Sequence, residues 1–316
     1  MTAIRCIRFV SVLGVVWLST SLSGCERIGF FIEAARLRAL TDTTQSDTTT
    51  TDVRATQDAL GRPAVLLSAF FGLDDALPAV AERIFCDGAG GIDGMPVVFS
   101  HEVDLATLQA GDFKVVSASG VIGPVLCVTP APANDIGEAR TILLIGQYGS
   151  AEDAPAQVEI VGNLLSKDGQ LNFRGAKTEV IPLEDGPTLV WAEVVPEAEW
   201  TLGDGGTAFP GGGGDSCPIG TKQVVRATWA GGVSKPGGAA IDDAERAAYR
   251  VTVRVGEEES DVVPFALADL NDGDNNHELC LDRGGEPLRV SFPAGLMSDP
   301  RDDLNPATRV AVTGAS

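Results

Sequence analysis

Basic side chains and histidines are scarce in this chain. Of its 316 residues, 23 are Lys or Arg, 44 are Asp or Glu and 2 are His, which gives a formal net charge of −21 at pH 7. Such a surface would repel a phosphate backbone, and the sequence contains no cluster of Lys and Arg that offers a local exception. We therefore expect no nucleic-acid partner.

Recognised catalytic motifs are missing as well. The sequence has no Gly-x-Ser-x-Gly, Ser-x-x-Lys, His-Glu-x-x-His or Walker pattern. Its Gly-rich segments, residues 88–94 and 203–215, precede no helix pattern, so we interpret them as loops and not as phosphate sites. Among 44 acidic residues, two neighbouring carboxylates are expected by chance and do not by themselves indicate a glycosidase. The sequence predicts a protein that is not an enzyme and requires no cofactor.

The one long apolar run lies near the beginning of the sequence. It extends from Phe9 to Leu18 and follows Arg5 and Arg8. A bilayer-spanning helix needs about 20 residues, so this run is too short to cross a membrane. A positive segment followed by a short apolar run is typical of an export signal. No later segment is long and apolar enough to predict a transmembrane helix.

The tetrapeptide Leu22-Ser23-Gly24-Cys25 follows this run. It resembles the lipobox of bacterial lipoproteins, in which the Cys becomes the first residue and its sulfur carries a diacylglycerol. The resemblance implies removal of residues 1–24, lipidation of Cys25 and anchoring to a membrane. In that family, an Asp directly after the Cys favours retention in the inner membrane. The residue here is Glu26, so the resemblance implies the outer membrane of a bacterial envelope, on either of its faces. The alternative is an ordinary signal peptide with an accidental Cys.

The remainder is rich in turn residues, with 37 Gly and 18 Pro. Residues 25–60 contain a short amphipathic stretch (26–40) and a Thr-rich segment (41–52), which we interpret as a lipidated N-terminus and a flexible tether. From residue 61, short apolar runs alternate with Gly, Pro, Asn and Asp, and a helical pattern is weak except at 79–85. The pattern predicts an all-β fold with strands at 96–100, 113–117, 124–128, 141–146, 158–161, 188–195, 224–229, 249–255, 262–267, 277–282, 288–292 and 308–312.

An internal repeat divides this region into residues 61–185 and 186–316. The best match is between residues 158–172 and 290–305, which share a Leu, a Ser and a closing Leu-Asn. Each unit has the length and strand number of an immunoglobulin-like β-sandwich. Residues 97–120 resemble the opening of bacterial Ig-like domains of surface-layer proteins and adhesins. The resemblance implies two tandem immunoglobulin-like β-sandwiches with a role at the cell surface, and it identifies no site.

Four cysteines remain after export and lipidation: Cys86, Cys127, Cys217 and Cys280. An even number in an oxidising compartment favours disulfides. Three pairings are open, and the repeat favours Cys86–Cys127 and Cys217–Cys280, one in each unit. A zinc site lacks support because no Cys-x-x-Cys or paired-His spacing occurs, and a catalytic thiol lacks a suitably placed His.

One loop offers hard oxygen ligands for calcium. Residues 269–277 hold three Asp and three Asn, and we take Asp269, Asn271, Asp272 and Asp274 as candidate calcium ligands. The spacing is not that of an EF-hand. The competing interpretation is that these are ordinary turn residues on a highly acidic surface. A second acidic group, Asp299, Asp302 and Asp303, lies in the last turn of the second unit.

Other polar and aromatic residues give weaker signals. His101 and His277 are predicted to be turn or surface residues. Trp200, in a Gly-rich loop, is the best candidate for an exposed aromatic that could stack on a sugar or a protein.

The sequence thus favours a non-enzymatic, membrane-anchored lipoprotein. It would act as a binding or structural module of the envelope or cell surface, with an unknown envelope protein or polysaccharide as its partner. Two alternatives stay open: an envelope hydrolase that uses carboxylates, and a structural module stiffened by calcium.

Overall fold

The computed structural model describes residues 46–202, 216–270 and 273–314. The first half of this region contains eight strands and one short helix, α1 (Ala81–Ile84). The strands are β1 (Leu66–Phe70), β2 (Asp93–Phe99), β3 (Phe113–Ser117), β4 (Ile122–Gly123), β5 (Val125–Thr129), β6 (Thr141–Gly146), β7 (Pro155–Ile160) and β8 (Lys177–Ile181).

The second half also contains eight strands and one short helix, α2 (Asp243–Ala248). Its strands are β9 (Leu189–Val194), β10 (Gln223–Trp229), β11 (Arg250–Val255), β12 (Glu258–Val262), β13 (Ala266–Ala268), β14 (Asn276–Leu281), β15 (Glu286–Phe292) and β16 (Thr308–Ala311). The two halves also contain one 3₁₀ turn each, Ala110–Asp112 and Glu197–Glu199. The prediction of an all-β fold is confirmed.

The two halves share one strand order. In the second half, one sheet runs β13-β14-β10-β9 and the other β12-β11-β15-β16. The first half has the corresponding orders β5-β6-β2-β1 and β4-β3-β7-β8, but parallel pairing of β1 with β8 joins them into one continuous eight-stranded sheet. In the second half the same parallel contact is reduced to a single bridge, Glu193 to Thr313.

Each half encloses its own apolar core. In the first, Phe99 packs edge-on against Phe173, with ring centroids 4.9 Å apart. In the second, Trp229 packs edge-on against Phe292 at 5.4 Å. Alternate residues of each strand point into these cores because successive strand side chains face opposite sides of a sheet.

The sequence analysis missed the apolar and mostly buried strand β1 (LLSAF) and three further strands. The three further strands are β8 (KTEVI) and β12 (EESDV), whose side chains are mostly exposed or half-buried, and the two-residue β4. The predicted strand 262–267 is divided between β12 and β13. Helix α2 was also missed, although its capping box, Asp242 with Glu245, is a readable sequence signal.

The predicted tether differs from the structure in its last part. From residue 46 the chain lies against the first half: Asp47 Oδ2 accepts a hydrogen bond from Asn163 N (2.8 Å), and the Ala55 carbonyl accepts one from Asn172 N (2.9 Å). Thr-rich composition alone does not show such contacts, because Asn163 and Asn172 are more than 100 residues away along the chain. Residues 46–60 therefore form part of the folded unit.

The described part of the chain contains two disulfides, Cys86–Cys127 and Cys217–Cys280. They are the pairs that the repeat favoured, but their positions are not equivalent. Cys127 lies on β5, whose counterpart is β13, whereas Cys280 lies on β14. The cysteines were therefore placed differently in the two halves, although each bond stays within its own half.

The predicted signal peptide, Cys25, the amphipathic stretch and residues 41–45 lie outside the described residues. Within the described ranges, no helix has both the length and the apolar character needed to cross a membrane.

Candidate functional site

A loop of the first half covers the outer face of a sheet of the second half. This joint loop, residues 130–140, connects β5 to β6. The Ile136 carbonyl accepts a hydrogen bond from Arg226 Nη2 (2.7 Å). Gly137 has φ +86°, and a Cβ there would collide with the Arg226 guanidinium. Glycine is therefore required at this close approach.

Arg226 is the central cation of the joint. It lies on β10 and is 2% exposed. Its Nη2 donates to Glu278 Oε1 (3.1 Å), and its Nη1 lies 3.6 Å from Glu193 Oε1. Burial by itself would lower the pKa of Arg226, but nearby carboxylates, Glu138 foremost, raise it above its ordinary value. The guanidinium therefore stays charged inside the protein.

A second buried guanidinium ties the halves together. Arg140 Nη2 donates to Glu193 Oε2 (3.0 Å), and its Nη1 donates to the Phe99 carbonyl (3.1 Å). Its guanidinium also lies 4.3 Å from the centre of the Trp191 ring, within the range of a cation–π contact. Glu193 is thus shared by an arginine from each half, which makes the joint a continuous ion-pair network.

Three further carboxylates meet beside this network. Glu138 comes from the joint loop, and Asp269 and Asp274 come from the connection between β13 and β14. One carboxylate oxygen of each lies within 4.8 Å of the others. All three are buried, with exposures of 2%, 1% and 6%. We call these three residues the joint carboxylates.

The joint carboxylates are held in different ways. Glu138 Oε2 accepts a hydrogen bond from Asp135 N (3.0 Å), whereas its buried Oε1 receives none within the described part of the chain. Asp274 accepts from Asn276 N (2.8 Å) and Asn276 Nδ2 (2.7 Å). Asp269 has a backbone φ of +60°, a left-handed conformation that Asp tolerates better than most residues.

Burial and mutual repulsion disfavour ionisation here. Burial raises the pKa of Glu138 well above its ordinary value, and the charges of Asp274 and Asp269 raise it further. Burial also raises the pKa of Glu278 to about 7, against the opposing charge of Arg226. Among the described residues, the carboxyl groups of Glu138, Glu193, Glu278, Asp269 and Asp274 share this region with the Arg140 and Arg226 guanidinium groups. Their excess negative charge has to be neutralised by protons or by a cation.

The structure brings together two of the four predicted calcium ligands, Asp269 and Asp274. Asn271 and Asp272 lie outside the described residues. Glu138 was missed because it is distant in sequence, and no local pattern links it to the loop. A cavity of about 260 Å³ adjoins the site and is lined by Ser234, Ile241, Asp269, Gly273, Asp274 and His277 among others.

The remaining acidic groups act as turn residues. Asp299 is buried and accepts hydrogen bonds from Arg301 N and Asp303 N, both at 2.9 Å. Asp302 accepts from Gly237 N at 2.6 Å. These contacts close the last turn, which agrees with the structural interpretation of this group.

A further carboxylate group lies in the first half, where Asp74, Asp75 and Asp93 approach one another. Both oxygens of Asp93 accept backbone hydrogen bonds, from Asp75 N (2.9 Å) and Tyr148 N (2.6 Å). Asp75 is exposed. The buried member of this group is therefore satisfied by the protein itself.

A cavity of about 660 Å³ near the joint is lined by a Ser-His-Asp group. Ser100 Oγ lies 3.0 Å from His101 Nδ1, and His101 Nε2 lies 3.5 Å from Asp58 Oδ2. However, Ser100 Oγ donates to the Pro63 carbonyl (2.9 Å) and accepts from Val65 N (3.0 Å). The Pro63 carbonyl therefore competes with His101 Nδ1 for the single hydroxyl proton of Ser100, unlike the dedicated nucleophile–base bond of a serine hydrolase.

His277 and Trp200 differ from the sequence expectation. His277 is buried, and its Nδ1 lies 2.6 Å from the Tyr249 hydroxyl. Burial lowers the pKa of His277 to about 4, so the ring is neutral at physiological pH. Trp200 is half-buried, and its indole N–H donates to the Val195 carbonyl (2.9 Å). Its polar edge is therefore used within the fold.

Comparison with known proteins yields little. No family model matches the sequence, and no curated protein matches it significantly. Among solved structures, the chain is similar to domains 1–6 of surface layer protein SbsC, with 10% sequence identity and a TM-score of 0.26. The similarity covers 80% of this chain and 41% of that one.

Proposed function

We propose that this protein is a non-enzymatic, membrane-anchored lipoprotein that serves as a structural or binding module of the bacterial envelope or cell surface. The observation that carries the proposal is the pairing of two halves with one strand order across a buried ion-pair network. A joint of this kind holds two modules in one fixed arrangement. Catalysis would not require it, but a spacer or a rigid binding surface would benefit from it.

Each half is proposed to be an immunoglobulin-like sandwich, with the boundary near residues 185 and 186. The separate core and the antiparallel pairing of nearly all strands within each half support this assignment. In the first half, the β1–β8 pairing closes one side of the sandwich. Envelope and surface proteins commonly use such sandwiches as spacers and binding modules.

Two features of the site support a non-catalytic role. Ser100 is held by backbone hydrogen bonds. The joint carboxylates are at most 6% exposed, so a polysaccharide could not reach them without opening the joint. A carboxylate hydrolase needs its acid and its nucleophile or base at the surface of a substrate cleft.

The lipid anchor is proposed from the lipobox-like tetrapeptide ending at Cys25. Its test is metabolic labelling with a fatty-acid analogue, followed by membrane fractionation. We expect Cys25→Ser to abolish the label and release the chain from membranes. Cys6→Ser is the matched control, because Cys6 lies in the predicted signal peptide and should not affect the label. Labelling retained in Cys25→Ser would contradict the anchor.

The partner class is tested by crosslinking the protein in cells. A specific envelope protein or polysaccharide that is enriched with the native chain and lost with Cys25→Ser would support a binding role. Enrichment of nothing above the Cys25→Ser control would contradict it and leave a structural role.

A further inference from the structure

We propose that Glu138, Asp269 and Asp274 bind one divalent cation of the hard class, Ca²⁺ in preference to Mg²⁺, and that this ion fastens the two halves of the chain together. The inference does not depend on lipidation. It uses only these three ligands, which belong to two separate segments of the fold, the joint loop and the β13–β14 connection.

The distances suit calcium. Oxygen ligands lie 2.3–2.6 Å from Ca²⁺, so two oxygens on one ion are at most about 5 Å apart. One oxygen of each joint carboxylate lies within 4.8 Å of the other two. Carboxylates without thiol or imidazole ligands favour a hard cation over zinc or copper. The one nearby imidazole, His277, has its Nδ1 within hydrogen-bonding distance of the Tyr249 hydroxyl.

A second observation also indicates a cation. Glu138 is 2% exposed, and its Oε1 receives no hydrogen bond from the described ranges. Glu278, the partner of Arg226, is 0% exposed, and its Oε2 likewise receives none within those ranges. Buried carboxylate oxygens are rarely left without a partner. A cation between the joint carboxylates would give the Glu138 carboxylate a further partner and offset the excess charge that Arg140 and Arg226 do not balance.

The ion also has a place to enter. The cavity of about 260 Å³ is lined by Asp269 and Asp274, which gives room for water ligands, and calcium usually keeps some of these. Because Glu138 belongs to the first half, an ion held here would stabilise the contact between halves more than either half alone. Metal binding to the folded state stabilises it by mass action.

The test uses the full chain, stripped with EDTA and then titrated with CaCl₂ or MgCl₂. Equilibrium dialysis with radioactive calcium is expected to give one bound ion per chain. Extracellular calcium modules bind with Kd of about 10⁻⁴–10⁻³ M. We expect the melting temperature to rise by about 5 °C in about 5 mM Ca²⁺, and by less in Mg²⁺.

Glu138→Gln separates ion binding from folding. It removes one ligand charge and relieves the repulsion in the cluster, so we expect at least a tenfold weaker affinity together with a higher melting temperature in EDTA. Asp274→Asn should also weaken binding. Asp75→Asn, in the other carboxylate group, is the matched control and should bind calcium like the native chain.

The proposal is overturned if the native chain binds no calcium and melts at the same temperature in EDTA and in calcium. A proton shared between Glu138 and Asp269 would then neutralise the cluster. It is equally overturned if Glu138→Gln keeps the native affinity, or if Asp75→Asn loses as much affinity as Glu138→Gln. None of these outcomes bears on Cys25, so failure here is distinct from failure of the lipid anchor.

Discussion

The two halves of this protein have the same strand order but different interiors. The first core is lined by phenylalanines, with Phe99 between Phe113 and Phe173. The second contains a buried hydrogen-bonded chain in which Trp229 Nε1 donates to the Tyr249 hydroxyl (2.9 Å), which also lies 2.6 Å from His277 Nδ1. Strand order therefore depends on where apolar side chains recur along the strands, and not on which apolar or amphipathic residues they are.

The outer faces differ even more. Counted from the end of each second strand, Arg226 of β10 corresponds to Pro96 of β2. Pro96 lines an apolar groove with Leu143, whereas Arg226 is buried in ion pairs under the joint loop. Pro96 and Arg226 belong to neither apolar core, so the residues on this outer face can differ between the halves without a change in strand order. In the second half, this outer face carries the ion pairs of the joint.

Arg226→Met should have the largest effect on stability. It leaves Glu278 buried without its cation, whereas Glu193 keeps its pair with Arg140. Removal of one partner of a buried ion pair costs about 3–5 kcal/mol. The measurement is the free energy of unfolding in urea. Arg254→Met is the matched control in the same half, because Arg254 is 40% exposed beside Glu286 and should cost less than about 1 kcal/mol. Equal losses in the two variants would contradict the role assigned to the joint.

Removal of the disulfides should have the next largest effect on stability, and this effect should differ between the halves. Replacement of either cysteine pair by alanines should lower the free energy of unfolding by about 2–4 kcal/mol, because a disulfide restricts the unfolded chain. The loss should be greater for Cys217–Cys280, which closes 63 residues against 41 for Cys86–Cys127, and because Cys280 is fully buried. Denaturation of both double variants in parallel measures this, and a greater loss in the first half would be the opposite of our expectation.

Asp112, the residue before β3, makes the stability of the first half depend on pH, as Glu278 does for the second half. Burial raises the pKa of Asp112 to about 7, with a contribution from Asp47. The folded state then binds more protons than the unfolded state between about pH 4 and about pH 7, so stability is lost as the pH rises through this window. Asp112→Asn should make this slope smaller and gain about 2–3 kcal/mol at about pH 8, while the part that comes from Asp93 and Glu278 stays.

The measurement for Asp112 is the free energy of unfolding at several pH values. Asp153→Asn is the control for loss of a negative charge. Ser119 and Ser117 donate hydrogen bonds to Asp153 and lower its pKa, so its loss should destabilise at neutral pH and not stabilise. A native pH profile in Asp112→Asn would exclude Asp112 as the source of the slope.

The smallest expected effect on stability concerns the two tyrosines of the chain, one in each half. Tyr249→Phe should cost about 1–3 kcal/mol, because Trp229 Nε1 and His277 Nδ1 lose a buried partner. Tyr148→Phe should be neutral or stabilising, since the buried Tyr148 hydroxyl has no hydrogen-bond partner among the described residues. Thermal unfolding of both variants measures the difference, and equal losses would show that the polar chain in the second core contributes nothing specific.

Most strands could be located from the sequence because period-two apolar patterns reflect burial on one side of a sheet. Strands β3 and β6 were predicted with their observed bounds. Polar edge strands such as β12 carry no such pattern and were missed. The repeat identified the disulfide pairs, because each half folds around its own core and keeps its own cysteines close.

The sequence alone thus determined the strand content, the doubling and the acidic loop at Asp269 and Asp274, since all three depend on residues that are close along the chain. Only the tertiary structure decided that Arg226 is buried, that residues 46–60 are docked, and that Glu138 completes a carboxylate cluster. These features depend on contacts between segments that are distant in sequence. Coulomb energies and desolvation follow distance in space, so no local pattern encodes them.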